Sequence, residues 1–258
     1  MAAPLELAAR LRAGERIVTA WCGIPDPRVP ALLAQAGYPA VTFDMQHGLN
    51  DFAAVAAGIP VAVAAGAAPI VRVPVGDFAT ASRVLDAGAV AVIAPMIDSA
   101  ATARRFVAHL KYPPVGERSW GPAVAMGLAG VASGDEWLRR ANEATVGFAM
   151  IETAGSIADL DQILAVEGLD GVFVGPSDLS LTLSNGARLA PSAAETWAVI
   201  SRIGAAAKAA GRLAGLFANT AEEVRRGFDA GYGLVAYGVD MSLFRNAASA
   251  ALAAADAG

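Results

Sequence analysis

The chain has 258 residues, 55% hydrophobic and 17% charged, enough apolar material for the core of a domain near this length. A formal net charge of -5 gives no electrostatic reason to bind nucleic acid or an anionic membrane surface, and a single cysteine, Cys22, excludes an internal disulfide. Apolar stretches are broken by Pro and Gly, and the N-terminal segment carries early charges in place of an apolar signal core, so the expected location is the cytoplasm.

Short β-branched runs alternate with longer amphipathic segments. IVTAWC (17–22) precedes a helical pattern at 28–37, AVTFD (40–44) one at 51–58, PIVRV (69–73) one at 78–87, and AVAVIAP (89–95) one at 98–110. Further on, VGFAMIE (146–152) precedes 156–165, LDGVFVG (169–175) precedes 192–210, RLAGLF (212–217) precedes 220–230, and LVAYGVD (234–240) precedes 241–256. Several of the strands are apolar on both parities, as parallel strands buried on two faces are. AGY (36–38) and DAGA (86–89) supply glycine helix stops, and Asp77, Asp98 and Thr220 are the expected N-caps. Eight strand–helix pairs without a boundary linker predict one α/β domain over 1–258, a closed (β/α)8 TIM barrel. An open doubly wound sheet is the alternative, but no GxGxxG follows an early strand. Segments 112–134 and 179–191 read as long loops on the face where barrel active sites lie.

In such barrels functional groups sit at the C-terminal ends of strands. Asp44, His47, Arg72, Glu152, Asp178, Asn219 and Asp240 all fall there. Glu152 and Asp178 are the metal candidates, because two carboxylates completed by water and a chelating substrate suit Mg2+ or Mn2+. The competing role for each is capping the helix that follows. His47 lies in a mouth loop near Asp44, whose carboxylate is placed to fix an imidazole tautomer for general base work. Arg72 ends a buried strand and must find an anion there, either a structural partner or a developing enolate oxygen. The only lysines, Lys111 and Lys208, lie at or within helices, which disfavours a Schiff-base aldolase.

FDMQHG, PIVRVP, VLDAGAVAVIAPM, YPPVGERSWG, MIET, VEGLDGVFVGPSDLS and AYGVD together resemble the HpcH/HpaI family of metal-dependent class II pyruvate aldolases, from about Ile17 to Asp240. The resemblance implies a divalent cofactor (Mg2+, Mn2+ or Co2+) on Glu152 and Asp178. It implies contact of Arg72 with the pyruvate keto or enolate oxygen, and a catalytic His47 paired with Asp86. Asp44 is implied to hold metal-bound waters. The backbone of Gly175, Pro176 and Ser177 is implied to receive the carboxylate, and Trp21 to lie near the pocket. It further implies a homo-hexamer, a trimer of dimers whose last helix (241–256) packs on a neighbour. Two departures make the pocket less polar: Gln46 stands where well-known members carry an acid, and Met150 where many carry Gln.

The expected activity is reversible cleavage of a 4-hydroxy-2-oxo acid to pyruvate, or a close 2-keto acid, and an aldehyde. An acyl-CoA lyase of the citrate-lyase β type is the second expectation; it needs basic groups for the CoA tail, and Arg118 is the one candidate at the mouth. A non-catalytic keto-acid-binding barrel is the third.

Overall fold

The computed structural model describes residues 4–256. Strands β1 (Ile17–Cys22), β2 (Ala40–Asp44), β3 (Ala68–Arg72), β4 (Ala91–Ala94), β5 (Val146–Met150), β6 (Gly171–Val174), β7 (Leu213–Phe217) and β8 (Leu234–Val239) form a closed parallel barrel in sequence order, with β8 pairing back onto β1. The architecture is the expected (β/α)8 barrel.

Alternate residues of each strand face opposite sides of the sheet. One parity points inward: Ile17, Ala40, Ile70, Ile93, Phe148, Phe173 and Leu234 fill the barrel, and Leu7 and Leu11 of the helix Leu7–Arg12 pack in the same cluster. The other parity, including Val41, Val71, Val92, Val172 and Val235, packs on the surrounding helices. The barrel is thus filled from its N-terminal end, and a cavity opens at its C-terminal mouth. No helix among the described residues is long and apolar enough to cross a membrane.

Gly37 and Gly88 end their helices at φ 105°, a region L side chains rarely adopt. Asp77 and Thr220 cap as expected, each accepting the backbone N–H three residues on. Asp98 does not cap. Ser99 takes that place by accepting from Thr102, while Asp98 accepts from the hydroxyls of Ser99 and Thr102. The helix expected over 51–58 runs from Phe52 to Ala64, because Val55, Ile59 and Ala62 keep one buried face through Pro60.

Segment 112–134 is on the opposite end from that expected. It follows the helix Ala100–Leu110, which returns from the end of β4 toward the start of β5, and it contains a helix of its own, Ala123–Ala129. Segment 179–191 does follow β6 at the mouth, but its first residues belong to the helix Pro176–Leu183.

Candidate active site

The last inward positions of the strands line a cavity of about 290 Å³ at the mouth. Trp21, Asp44, Arg72, Met150, Phe173 and Phe217 supply its floor and walls, each placed there by strand parity. His47, Gly175, Pro176, Ser177 and Asp178 reach the same cavity from the loops that follow β2 and β6.

Asp44 and Arg72 are cross-strand partners on β2 and β3. Arg72 Nε donates to Asp44 Oδ1 at 2.9 Å and Nη2 to Oδ2 at 2.7 Å. Asp44 also accepts from Trp21 Nε1 at 3.2 Å and from the backbone N–H groups of Gln46 at 3.0 Å and His47 at 3.3 Å. Burial works to raise the Asp44 pKa, but the Arg72 hydrogen bonds and charge, with help from Gln46 and Trp21, hold it below the ordinary carboxylate value. The Arg72 guanidinium lies over the Trp21 ring, 4.9 Å from its centroid. Its third nitrogen, Nη1, has no hydrogen-bond partner among the described residues, so a structural ion pair and an open donor coexist in one side chain.

His47 is exposed at the rim. Asp44 orders the His47 backbone rather than its ring, since the carboxylate is occupied by Arg72, Trp21 and main-chain donors. The tautomer-fixing contact expected between the two is therefore absent.

Glu152 is 2% exposed just past β5. It does not cap the next helix; Thr153 does, accepting from Ser156 in a reciprocal capping box. The Glu152 N–H donates to Ser156 Oγ at 3.2 Å and its carbonyl accepts from Thr182 Oγ1 at 2.7 Å. Oε1 accepts from the Met96 N–H at 2.8 Å, while Oε2 is buried with no partner. A Cβ on Gly175 would lie 2.5 Å from that oxygen and 2.9 Å from Met150 Cε, so a larger residue there would push one or both of these side-chain ends aside. Burial raises the Glu152 pKa to about 7; the Met96 N–H opposes this, and the negative charge of Asp178 adds to it. Asp178 is the third residue of the helix Pro176–Leu183, whose N-cap, Gly175, has no side chain to offer, so Asp178 does not cap either.

A buried, unpartnered carboxylate oxygen is costly unless the group takes up a proton, as its raised pKa favours, or a cation meets it. Among the described residues no group of three or more His, Cys, Asp or Glu side chains could hold a metal. Glu152 and Asp178 form a two-carboxylate set, which fits a hard cation that takes its remaining ligands from water and substrate.

The structure separates Asp86 from the other predicted site residues. It ends the helix Phe78–Asp86 immediately before β4, at the opposite end of the barrel from His47, and accepts from Arg118 Nη2 at 2.5 Å. Within one chain it cannot pair with His47. Arg118 is likewise not at the mouth. Its backbone N–H donates to the Lys111 carbonyl, and Lys111 Nζ in turn donates to the Thr145 carbonyl just before β5. Lys208 lies exposed in the helix Ala194–Ala209, so neither lysine is at the mouth. Asn219 also misses the cavity, its N–H donating to Glu223 Oε2. Asp240 is structural, accepting from the N–H groups of Gly23 and Ile24 to clasp the loop after β1. Of the two departures, Met150 lines the cavity and Gln46 does not.

Sequence reasoning missed Phe173, Phe217, Val239 and Met241 as cavity walls. Counting inward parity to the end of β6 and β7 would have found the two phenylalanines. It also missed Asn50, whose Nδ2 donates to the Cys22 and Asp44 carbonyls and joins the loops after β1 and β2.

These elements define a closed parallel (β/α)8 barrel whose mouth cavity is lined by an arginine and two aspartates. Residues 19–247 match the HpcH/HpaI aldolase/citrate lyase family, and the chain belongs to it. It is 36% identical over 244 residues to a hydroxypyruvate/pyruvate aldolase of Rhizorhabdus wittichii, covering 95% of this chain and 96% of that protein. Among solved structures it resembles an HpcH/HpaI aldolase from Desulfitobacterium hafniense, with TM-score 0.88 and 28% identity, covering 96% of this chain and 95% of that one. It also resembles the citrate synthase SbnG, with TM-score 0.86 and 28% identity over 98% of both chains.

Proposed function

We propose that the protein is a divalent-metal-dependent aldolase that reversibly cleaves a 4-hydroxy-2-oxo acid to an aldehyde and a small 2-keto acid, pyruvate or hydroxypyruvate. The observation that carries this reading is the buried, unpartnered Glu152 Oε2, which lies behind the cavity-lining Gly175 and feels the charge of Asp178, itself in the cavity wall with Arg72. Glu152 and Asp178 hold the cation, which supplies Lewis acidity toward the keto acid. The keto acid's carboxylate meets the N-terminus of the helix Pro176–Leu183, where the first-turn N–H groups of Ser177 and Asp178 have no intrahelical acceptor. Arg72 Nη1 donates to the oxygen that gains negative charge as C3–C4 breaks. His47 takes the C4 hydroxyl proton as C3–C4 breaks, a proton delivered to C3 of the enolate through His47 or water completes the keto acid, and the synthetic direction reverses both transfers. Asp44 keeps Arg72 and the His47 backbone in place and helps order water around the cation.

Asp86 enters this scheme only from a second copy. We assign it to a neighbouring protomer's His47, in a homo-hexamer whose subunits bring the barrel end that bears Asp86 over an adjacent mouth. Arg118 then serves to hold Asp86, and the acyl-CoA reading loses its one basic residue at the mouth.

Exchange of the pyruvate methyl protons with deuterium, followed by NMR, tests the proposal. Chelator-treated protein should not exchange, and Mg2+, Mn2+ or Co2+ should restore it. Metal-independent exchange, or none with any of the three, overturns it. Cleavage of malyl- or citramalyl-CoA in preference to 4-hydroxy-2-oxo acids would favour an acyl-CoA lyase instead.

A further inference from the structure

Two non-glycine residues among those described have positive φ, Asn185 at 51° and Met96 at 55°. Asparagine tolerates this region; methionine gains nothing from it, because its Cβ crowds the carbonyl oxygen that follows. The Met96 side chain does not account for the conformation, being 43% exposed and outside the cavity lining. Its backbone does something specific. Met96 lies two residues beyond β4, and its N–H is the one donor to Glu152 Oε1, at 2.8 Å.

Both flanks of Met96 are fixed. Pro95 follows directly on β4, and Ile97 is fully buried, its carbonyl accepting from Thr153 Oγ1. Relaxing Met96 to negative φ between these anchors reorients its peptide plane and takes the N–H off Glu152. The Glu152 main chain is pinned by Ser156 and Thr182, and the Met96 N–H makes the one hydrogen bond to the carboxylate among the described residues. With Oε1 held, Oε2 is left unpartnered, buried and against Gly175. Strain of this kind persists where the surroundings over-determine it, and it clusters at functional sites.

We propose that Met96 is a positioning residue whose left-handed backbone aims its N–H at Glu152 Oε1, so that Oε2 is presented to the divalent cation. This rests on the reading of Glu152 as a metal ligand.

The test is calorimetric titration of Mn2+ into chelator-treated protein, without substrate, for wild type, Met96→Gly, Met96→Ala and Met96→Val. Glycine adopts positive φ freely, alanine less so, and a β-branched valine least. Met96→Gly should bind within about twofold of wild type although its side chain is gone, and Met96→Val should bind about tenfold more weakly, with Met96→Ala between them. Melting curves in chelator establish that each variant is folded; if Met96→Val is not, the Gly–Ala comparison decides. Equal weakening in Met96→Gly and Met96→Val, or none in Met96→Val and Met96→Ala, overturns the proposal. Wild type that fails to bind Mn2+, or Glu152→Gln that binds as well as wild type, would instead overturn the metal reading itself.

Discussion

Asp44 and Arg72 face each other across the β2–β3 register and are joined by two parallel hydrogen bonds of 2.9 and 2.7 Å at the mouth of the barrel. The fork geometry uses Nε and Nη2, which leaves Nη1 for the cavity. Lysine offers one ammonium in place of that fork and cannot hold Asp44 and reach substrate at once. Arg72→Ala should lower kcat by about 10²–10³-fold, the usual cost of one oxyanion donor. Arg72→Lys should recover less than a tenth of the lost activity, by steady-state kinetics of aldol cleavage. Recovery to near wild type by lysine would show that charge alone suffices.

Glu152 predicts an unusual pH dependence of the metal-free protein. Its folded pKa, raised to about 7 by burial, stands above the ordinary carboxylate value of 4.5. Between those values the folded state keeps a proton that the unfolded state has lost, so raising pH costs stability through this window. Melting temperature in chelator should therefore fall between about pH 5 and 8, and Glu152→Gln should lack that component. Divalent cation should restore stability, more so at pH 8 than at pH 5, because the cation needs the carboxylate form. Parallel melting profiles for wild type and Glu152→Gln would contradict the assignment.

The barrel was readable because its strands are short apolar runs between glycine stops, and parity then places Trp21, Asp44 and Arg72 at the mouth. What sequence pattern did not carry was the direction of returning segments. Asp86 and Arg118 flank helices that run back to the far end of the barrel, so closeness to a motif did not mean closeness to the site. The helix Gly134–Ala144 drew no expectation, although Trp137 and Ala141, four residues apart, bury one face of it. The Met96 contact is made by main chain and leaves no trace in residue type.

Lys111 is 2% exposed, yet it is placed for structure. Its ammonium meets Asp170 at 2.7 Å and the carbonyls of Asn142 and Thr145, joining the starts of β5 and β6 to the helix Gly134–Ala144. Asp170 is shared with Arg12 and the Gly147 N–H. Breaking a buried pair from one side leaves the other charge uncompensated, so Lys111→Ala should cost about 3–5 kcal/mol in chemical denaturation. Its kcat at a temperature where it is folded should stay within about twofold of wild type, since a Schiff-base lysine is not required. Loss of catalysis without loss of stability would reverse this assignment.

The distance between His47 and Asp86 makes the assembly testable through catalysis. In one chain they occupy opposite ends of the barrel, so any functional pair must join two copies. His47→Ala and Asp86→Ala should each be strongly impaired alone. Co-expressed, they should form mixed oligomers in which some sites receive His47 from one subunit and Asp86 from the other, and those sites should recover activity. Affinity purification through a tag on one variant selects the mixed species, and specific activity reads the recovery. If Asp86 acted within its own chain, every mixed site would lack one partner and activity would stay at the level of the separate variants. If Asp86 only braced Arg118, Asp86→Ala would lose stability with little effect on kcat, and mixing would change nothing.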